Sequence, residues 1–272
     1  MDHSHGASRD YIACEVDLAP NSRWYVQPNT LPPVFQGRRD ILFEIEESTS
    51  TKRGGKTTIS KGVYVLFHDY SQTVITVNYN SQNPGDLTIE QRSEPPPSKM
   101  RQDQLEDAWN SFGKNIAADV ATKVGQVVGD GTPHGLIQAL LAPLPAALLP
   151  VGTRAYGALV YSNLANATVQ QFDEIRAGDL ITFKNAKFSG KHGAMHQKYN
   201  QEVGTREGHV AIVVEWDGKK KKIRCLEQGR EREGKDRKKK VDEEGYRVED
   251  LRSGEVKVWR VVGRNWVGWE TS

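Results

Sequence analysis

Three short stretches of this 272-residue chain carry side chains suited to proton transfer or thiol chemistry. Gly208–Trp216 (GHVAIVVEW) opens with His209 and continues as a β-branched run. Arg176–Phe183 (RAGDLITF), upstream, sets Gly178 and Asp179 before an apolar strand. Leu226–Gly229 (LEQG), downstream, supplies Glu227 and Gln228. A histidine that accepts and returns a proton, oriented by a carboxylate or amide, is half of a thiol-hydrolase site. The other half is a cysteine at a helix N-terminus, where the macrodipole and backbone N–H groups stabilise the thiolate. The chain has only Cys14 and Cys225, and neither begins a helix-patterned segment.

The Asp217-Gly218 pair reads as a tight antiparallel turn, which sets His209 opposite about residue 227. Glu227 or Gln228 then stands where an orienting group belongs. Period-two alternation puts Cys225 on the same face as Glu227, so a rewired Cys225–His209 dyad is one reading. An inert, buried strand cysteine is the plainer one.

The surrounding elements read as α+β. Ile41–Glu47, Gly62–Asp69 and Gln72–Tyr79 are predicted strands, with Asp69-Tyr70-Ser71 as a hairpin link and Thr49–Lys61 as a polar loop. Pro95-Pro96-Pro97 punctuates the chain. From Arg101 to Val128 the apolar residues Leu105, Trp109, Phe112, Ile116, Val120 and Val124 recur at helical spacing. Thr132 is a predicted N-cap with Pro133 at the first position of a helix through Leu141. Thr153–Ala167 is predicted as a third helix. Strands return at Asp179–Lys184, His209–Trp216, Lys222–Gln228 and Glu255–Val262, separated by polar loops at Phe188–Arg206 and Gly229–Glu244. The expected division is a flexible terminus or tag remnant at 1–20, a β-rich part at 21–97 and an α+β part at 98–272. Residues 21–272 are expected to form one composite unit.

The order of Gly-Asp strand, His strand and Glu-Gln strand resembles a papain-like core of the NlpC or CHAP type. That resemblance implies a preceding helix with a cysteine, and the corresponding position here falls at Ala155 or Tyr156, neither of them a thiol. A more specific resemblance rests on longer strings: Ser48–Gly55, Tyr64–Phe67 with Asp69–Thr73, Glu94–Pro97, Arg101–Glu106, Val128–Leu136, Gly152–Tyr161 and Gly254–Arg260. These resemble the C-terminal cysteine-proteinase-fold domain of the fungal Bbc-type myosin-tail-region-interacting proteins, from about Trp24 to Trp269. The resemblance implies a parent with a Src-homology-3 module that binds type I myosins and restrains Arp-complex nucleation-promoting factors at cortical actin patches. It also implies Ala-Tyr at the nucleophile position, hence a silent site in which Ala155, Tyr156, His209, Glu227 and Gln228 are vestigial. The expected function is protein–protein interaction in the cytoplasm.

Composition narrows the alternatives. Thirty-seven Lys and Arg against 35 Asp and Glu give a net charge of +2, which predicts no nucleic-acid partner. Two cysteines and scattered histidines predict neither a disulfide framework nor a metal site, and no cofactor is implied. The N-terminus lacks a signal-peptide pattern, and a reducing compartment is expected. Lys219–Lys222 and Lys235–Lys240 form two basic clusters that read either as solvated loops or as an anionic-membrane contact, the basis of an alternative phosphoinositide-binding role. Trp266 and Trp269 read either as interface anchors or as core pins. Pro95–Pro97 and Leu31–Pro33 read as rigid hinges or as Src-homology-3 docking peptides. Met195–Tyr199 reads as a lid over a cleft or as a simple surface crossing.

Overall fold

The computed structural model describes residues 10–51, 57–191, 198–232, 235–238 and 240–270, without side chains within 231–239. The chain divides into two compact units. Residues 1–98 with 150–155 form one, and 99–149 with 156–272 form the other. The chain is therefore not cut once near residue 97, because a short strap returns to the first unit.

The first unit is a four-stranded antiparallel meander: β1 (Leu42–Thr51), β2 (Thr57–Leu66), β3 (Gln72–Asn80) and β4 (Asn83–Glu94). Val63, Val65, Ile75, Val77 and Tyr79 project from the central strands, and Trp24, Tyr25, Leu31 and Phe35 close over them. The predicted loop from Thr49 is mostly strand, with Ser48 opposite Ser60 and Thr51 opposite Thr57. Thr, Ser and Ile suit a pleated, half-exposed edge, and pairing with the neighbouring strand outweighs their polarity. Residues 52–56 lie outside the described residues. β4 had no predicted counterpart, although Leu87, Ile89 and Gln91 alternate along it. Its Pro84 is tolerated because the strand lies at the sheet edge. Residues 10–18, expected to be flexible, are docked: Ala13 is fully buried and its N–H donates to Ser71 Oγ at 2.9 Å, and Gln91 bridges Val16 in both directions. Lys61 is fully buried, donating to Gln27 O at 2.8 Å and pairing with Glu47 at 3.0 Å.

The second unit is mostly antiparallel sheet with one long and one short helix. α1 (Gln102–Ala108), a π-turn (Trp109–Gly113) and α2 (Lys114–Thr122) run continuously. The predicted helix stops short of Val128, leaving Val124 and Val127 half-exposed in the following turns. α3 (Pro133–Leu141) starts as expected, with Thr132 Oγ1 accepting the Gly135 N–H at 3.0 Å. The predicted helix over Thr153–Ala167 does not form. Gly157 sits at φ +119°, where a Cβ would lie 2.1 Å from Arg260 O, and Ala158–Leu164 becomes strand β5. An Ala-Leu-Val-Tyr-Ser-Asn-Leu string carries little intrinsic preference, so a waiting sheet edge decides it.

The remaining strands are β6 (Thr168–Gln171), β7 (Leu180–Gly190), β8 (Tyr199–Val203), β9 (His209–Asp217), β10 (Lys222–Glu227), β11 (Arg230–Arg232), β12 (Lys235–Lys238), β13 (Asp242–Arg247) and β14 (Leu251–Arg260). The main sheet runs β13-β10-β9-β7-β14-β5-β6, with β8 on β7, while β11 and β12 pair separately. Both predicted polar loops thus contain strands. β7 continues seven residues past Phe183 and pairs with β8, and 229–244 holds β11, β12 and the start of β13.

Candidate functional site

The site begins with register. Phe183 of β7 faces His209 of β9, and Leu226 of β10 faces Ile212. A bulge between Arg224 and Cys225 shifts the β9–β10 pairing. The shift brings Glu227 into register with Ala211, on His209's side of the sheet, so Glu227 reaches His209 diagonally, two residues along β9, and not from directly opposite. His209 Nε2 lies 3.0 Å from Glu227 Oε2, and both side chains are buried. Tyr246, one strand further out on β13, donates its hydroxyl to the same Glu227 oxygen at 2.6 Å. Arg230 stands 3.6 Å from Glu227 Oε1 and pairs with Glu244 at 2.9 Å. Phe183 closes the cluster, its ring 4.4 Å from that of Tyr246 and 6.1 Å from that of His209.

The electrostatics follow from this enclosure. Burial pushes the Glu227 carboxyl up, but the His209 and Tyr246 hydrogen bonds and the Arg230 charge outweigh it, leaving the carboxyl below its usual range. Burial raises the Tyr246 hydroxyl well above its ordinary value, and the Glu227 charge adds to this. The carboxylate is thus held charged, with a neutral tyrosine and an arginine sharing it.

Glu227 and Gln228, candidates for one orienting position, do separate jobs. The Gln228 amide donates to Val128 O at 2.8 Å and Thr132 O at 3.1 Å, while its oxygen accepts the Val128 N–H at 2.7 Å. Gln228 thereby ties the end of β10 to the entry of α3. The helix start that abuts this hairpin is that of α3, for a Cβ on Gly229 would lie 2.6 Å from Gly131 O and 2.8 Å from Pro133 Cδ. A nucleophile at the head of a helix next to this hairpin would stand near Pro133, not at Ala155 or Tyr156. Pro133 has neither a reactive side chain nor an N–H. Ala155 is in the strap of the first unit, where its carbonyl accepts the Val151 N–H at 2.9 Å. Tyr156 is buried, with its ring 6.3 Å from that of His134. Burial raises its hydroxyl far above the ordinary value.

Cys225 faces Val213, four residues along β9 from His209. At about 3.3 Å per residue that is roughly 13 Å, too far for proton transfer between them. The thiol is fully buried, and burial together with Glu227, Glu244 and Glu243 raises it well above its ordinary value.

The Gly178-Asp179 signal has an architectural use. Arg260 Nε and Nη2 each donate to the fully buried Asp179 carboxylate at 2.9 Å. Arg260 also donates to Asp173 and, at 2.8 Å, to Glu174 O. Burial raises the Asp179 carboxyl despite this guanidinium. Gly178, at φ +90°, lies so close to the π-turn that a Cβ would fall 1.9 Å from Gly113 O. Trp109 Nε1 donates to Ala177 O at 2.8 Å, and Arg176 stacks 4.9 Å from the Trp109 ring. Gly-Asp thus locks helix to sheet. Tyr246, Arg230 and Arg260 escaped the sequence reading. A lone Arg260 at the end of the alternating run Val256, Val258, Arg260 was the available signal of a buried ion pair.

Other candidates separate. Trp269 is buried and its N–H bonds to Arg264 O, so it pins the chain rather than serving as an exposed anchor, while Trp266 is half-buried. Tyr199 starts β8 and donates to Asp250 at 2.8 Å, whereas residues 195–197 lie outside the described residues. Lys219, Lys220 and Lys221 occupy the β9–β10 turn, where Asp217 Oδ1 accepts the N–H groups of Lys219 and Lys220. Lys222 begins β10. The side chains of Lys235–Lys239 are outside the described set.

The second unit is thus an antiparallel sheet with helices against it and a histidine–carboxylate pair on neighbouring strands. The family model described as the AIM3/BBC1 cysteine proteinase-fold domain matches residues 90–271, and the chain belongs to that family. The SH3 domain-containing protein C23A1.17 of Schizosaccharomyces pombe is 36% identical over 263 residues, or 96% of this chain. The chain spans 16% of that relative's length. No solved structure matches the chain.

Proposed function

We propose that the chain is a non-catalytic, papain-like domain serving protein–protein interaction. Its setting is a parent that regulates cortical actin patch assembly through type I myosin and Arp-complex activators. The observation that carries the silent-site reading is the closed His209–Glu227–Tyr246–Arg230 cluster. The histidine's carboxylate is shared with a tyrosine and an arginine, and the only cysteine of that sheet is buried along the strand from it. A general base needs an accessible proton donor within about 3 Å, and among the described residues none stands beside His209. The SH3 domain named in the fission-yeast relative supports an interaction role for the parent. The test pairs two measurements on the full chain. A thiol-directed hydrolase probe should label neither Cys225 nor any His209-dependent site, and immobilised type I myosin tail or nucleation-promoting-factor segments should retain the chain. Turnover of a peptide or thioester substrate that disappears in Cys225→Ser would overturn the reading.

A further inference from the structure

The outer face of the sheet at the β9–β10–β13 corner carries a second constellation, apart from the histidine cluster. Cross-strand register builds it in rows. Asp217 faces Lys222, which faces Arg247, and Glu215 faces Arg224, which faces Gly245. Because Gly245 has no side chain, the second row is open at its outer end. The Lys222 stem folds into that gap, so that a Cβ on Gly245 would lie 2.7 Å from Lys222 Cε and 3.2 Å from its Nζ. The result is a hollow lined by Glu215, Asp217, Lys220, Lys222, Arg224 and Arg247.

The ion pairing within the hollow is uneven. Arg224 is held between Glu215 at 2.5 Å and Glu243 at 2.7 Å. Lys220 pairs with Asp217 at 3.2 Å. Among the described residues, neither Lys222 nor Arg247 has a carboxylate at ion-pair distance. Arg247 donates one Nη1 hydrogen to Lys220 O at 3.0 Å and keeps the rest of its fork. Two half-buried cations thus converge on one opening, with no carboxylate within 4 Å of either among the described residues. Lys219 and Lys221 add charge from the exposed turn beside it.

We propose that this hollow binds a phosphate-monoester group carried on a membrane-lipid headgroup. An ammonium and a planar guanidinium side by side match a phosphate dianion, the fork in two bonds and the ammonium as a point charge. The lining contains no apolar side chain to seat the residues that flank a phosphorylated side chain in a peptide. The lysines of the turn instead form a sequence-blind skirt suited to an anionic surface. This site is independent of the protein-interaction reading of the domain.

The test uses the full chain and sedimentation with three vesicle types: phosphatidylcholine alone, with phosphatidylserine, and with phosphatidylinositol bisphosphate at the same total charge. Inorganic pyrophosphate serves as the soluble probe. The bisphosphate vesicles should bind best, and pyrophosphate should compete. Each neutralised cation is worth about 1 kcal/mol near an anionic surface, a factor of about five. Lys222→Gln with Arg247→Gln should therefore weaken binding about 25-fold, while Lys184→Gln with Lys198→Gln, the same charge change on exposed residues elsewhere, should weaken it far less. Gly245→Ala leaves net charge untouched yet crowds Lys222, and should weaken the bisphosphate vesicles selectively. Equal losses in the two double variants, or equal binding to serine and bisphosphate vesicles, would overturn the proposal. So would pyrophosphate binding without vesicle binding, or preference for a phosphoserine peptide over the vesicles. An unchanged unfolding midpoint in each variant ties the losses to the hollow.

Discussion

Glu227→Gln tests whether the buried pair holds the fold or is kept for chemistry. The replacement preserves shape and removes charge. Glu227 Oε2 faces His209 Nε2 at 3.0 Å and accepts from Tyr246 at 2.6 Å, with Arg230 Nη1 3.6 Å from the other oxygen. Hydrogen bonds to a charged group contribute about 1.5–3 kcal/mol each. Breaking a buried pair through one partner destabilises by about 3–5 kcal/mol. Arg230 retains Glu244, which places the expected loss near the lower end, about 3 kcal/mol. Urea unfolding followed by tryptophan fluorescence measures it. The pH dependence gives a second reading. A carboxyl depressed on folding adds stability that is complete above its unfolded value, about 4.3, and is lost as pH falls through the lower folded value. Wild type should lose stability more steeply than Glu227→Gln below about pH 4.3. A variant as stable as wild type, or more stable, would refute the structural role, because strain kept for function is what such a result reveals.

Arg260→Met should destabilise the second unit by about 3–5 kcal/mol, since it leaves the Asp179 carboxylate buried without its guanidinium. Calorimetry checks it, and a loss below about 1 kcal/mol would count against the lock. Gly178→Ala should abolish a cooperative unfolding transition or lower its midpoint sharply, because the new Cβ would meet the Gly113 carbonyl at 1.9 Å in a left-handed conformation. Iodoacetamide should modify exposed Cys14 promptly and buried Cys225 only after denaturant is added, a difference that mass spectrometry resolves.

The strands of the site were legible because their chemistry is local. His209 opens a β-branched run and Asp217 marks its turn, so β9 and β10 follow from period and turn residues. The Thr132-Pro133 start of α3 was legible for the same reason. What escaped depends on partners distant in sequence. Ala158–Leu164 is a strand because β14 pairs with it, a contact nearly a hundred residues away. The π-turn at Trp109–Gly113 follows from the close approach of Gly178, which no periodicity announces. The bulge between Arg224 and Cys225 decides that Cys225 faces Val213, and a single-strand pattern contains no such shift. Glu227 and Gln228 looked interchangeable because alternation assigns faces but does not identify what lies beyond each face.

The strap at Pro150–Ala155 bears on the order in which the protein is made. The four-stranded meander ends at Glu94, but the unit it belongs to also includes the strap, and the intervening Lys99–Leu149 belongs to the other unit. Gly152, at φ +57°, occupies a place where a Cβ would lie 2.7 Å from Arg39 O, so the seat made by Arg39 and Asp40 stands open until residue 152 leaves the ribosome. At about 10 residues per second the wait after Glu94 is roughly six seconds. A fragment cut at the family boundary, residues 90–271, starts inside β4 and carries the strap without its seat. Expression of the first unit alone therefore calls for a new link from 98 to 150, and of the second for one from 149 to 156, rather than a choice of end points.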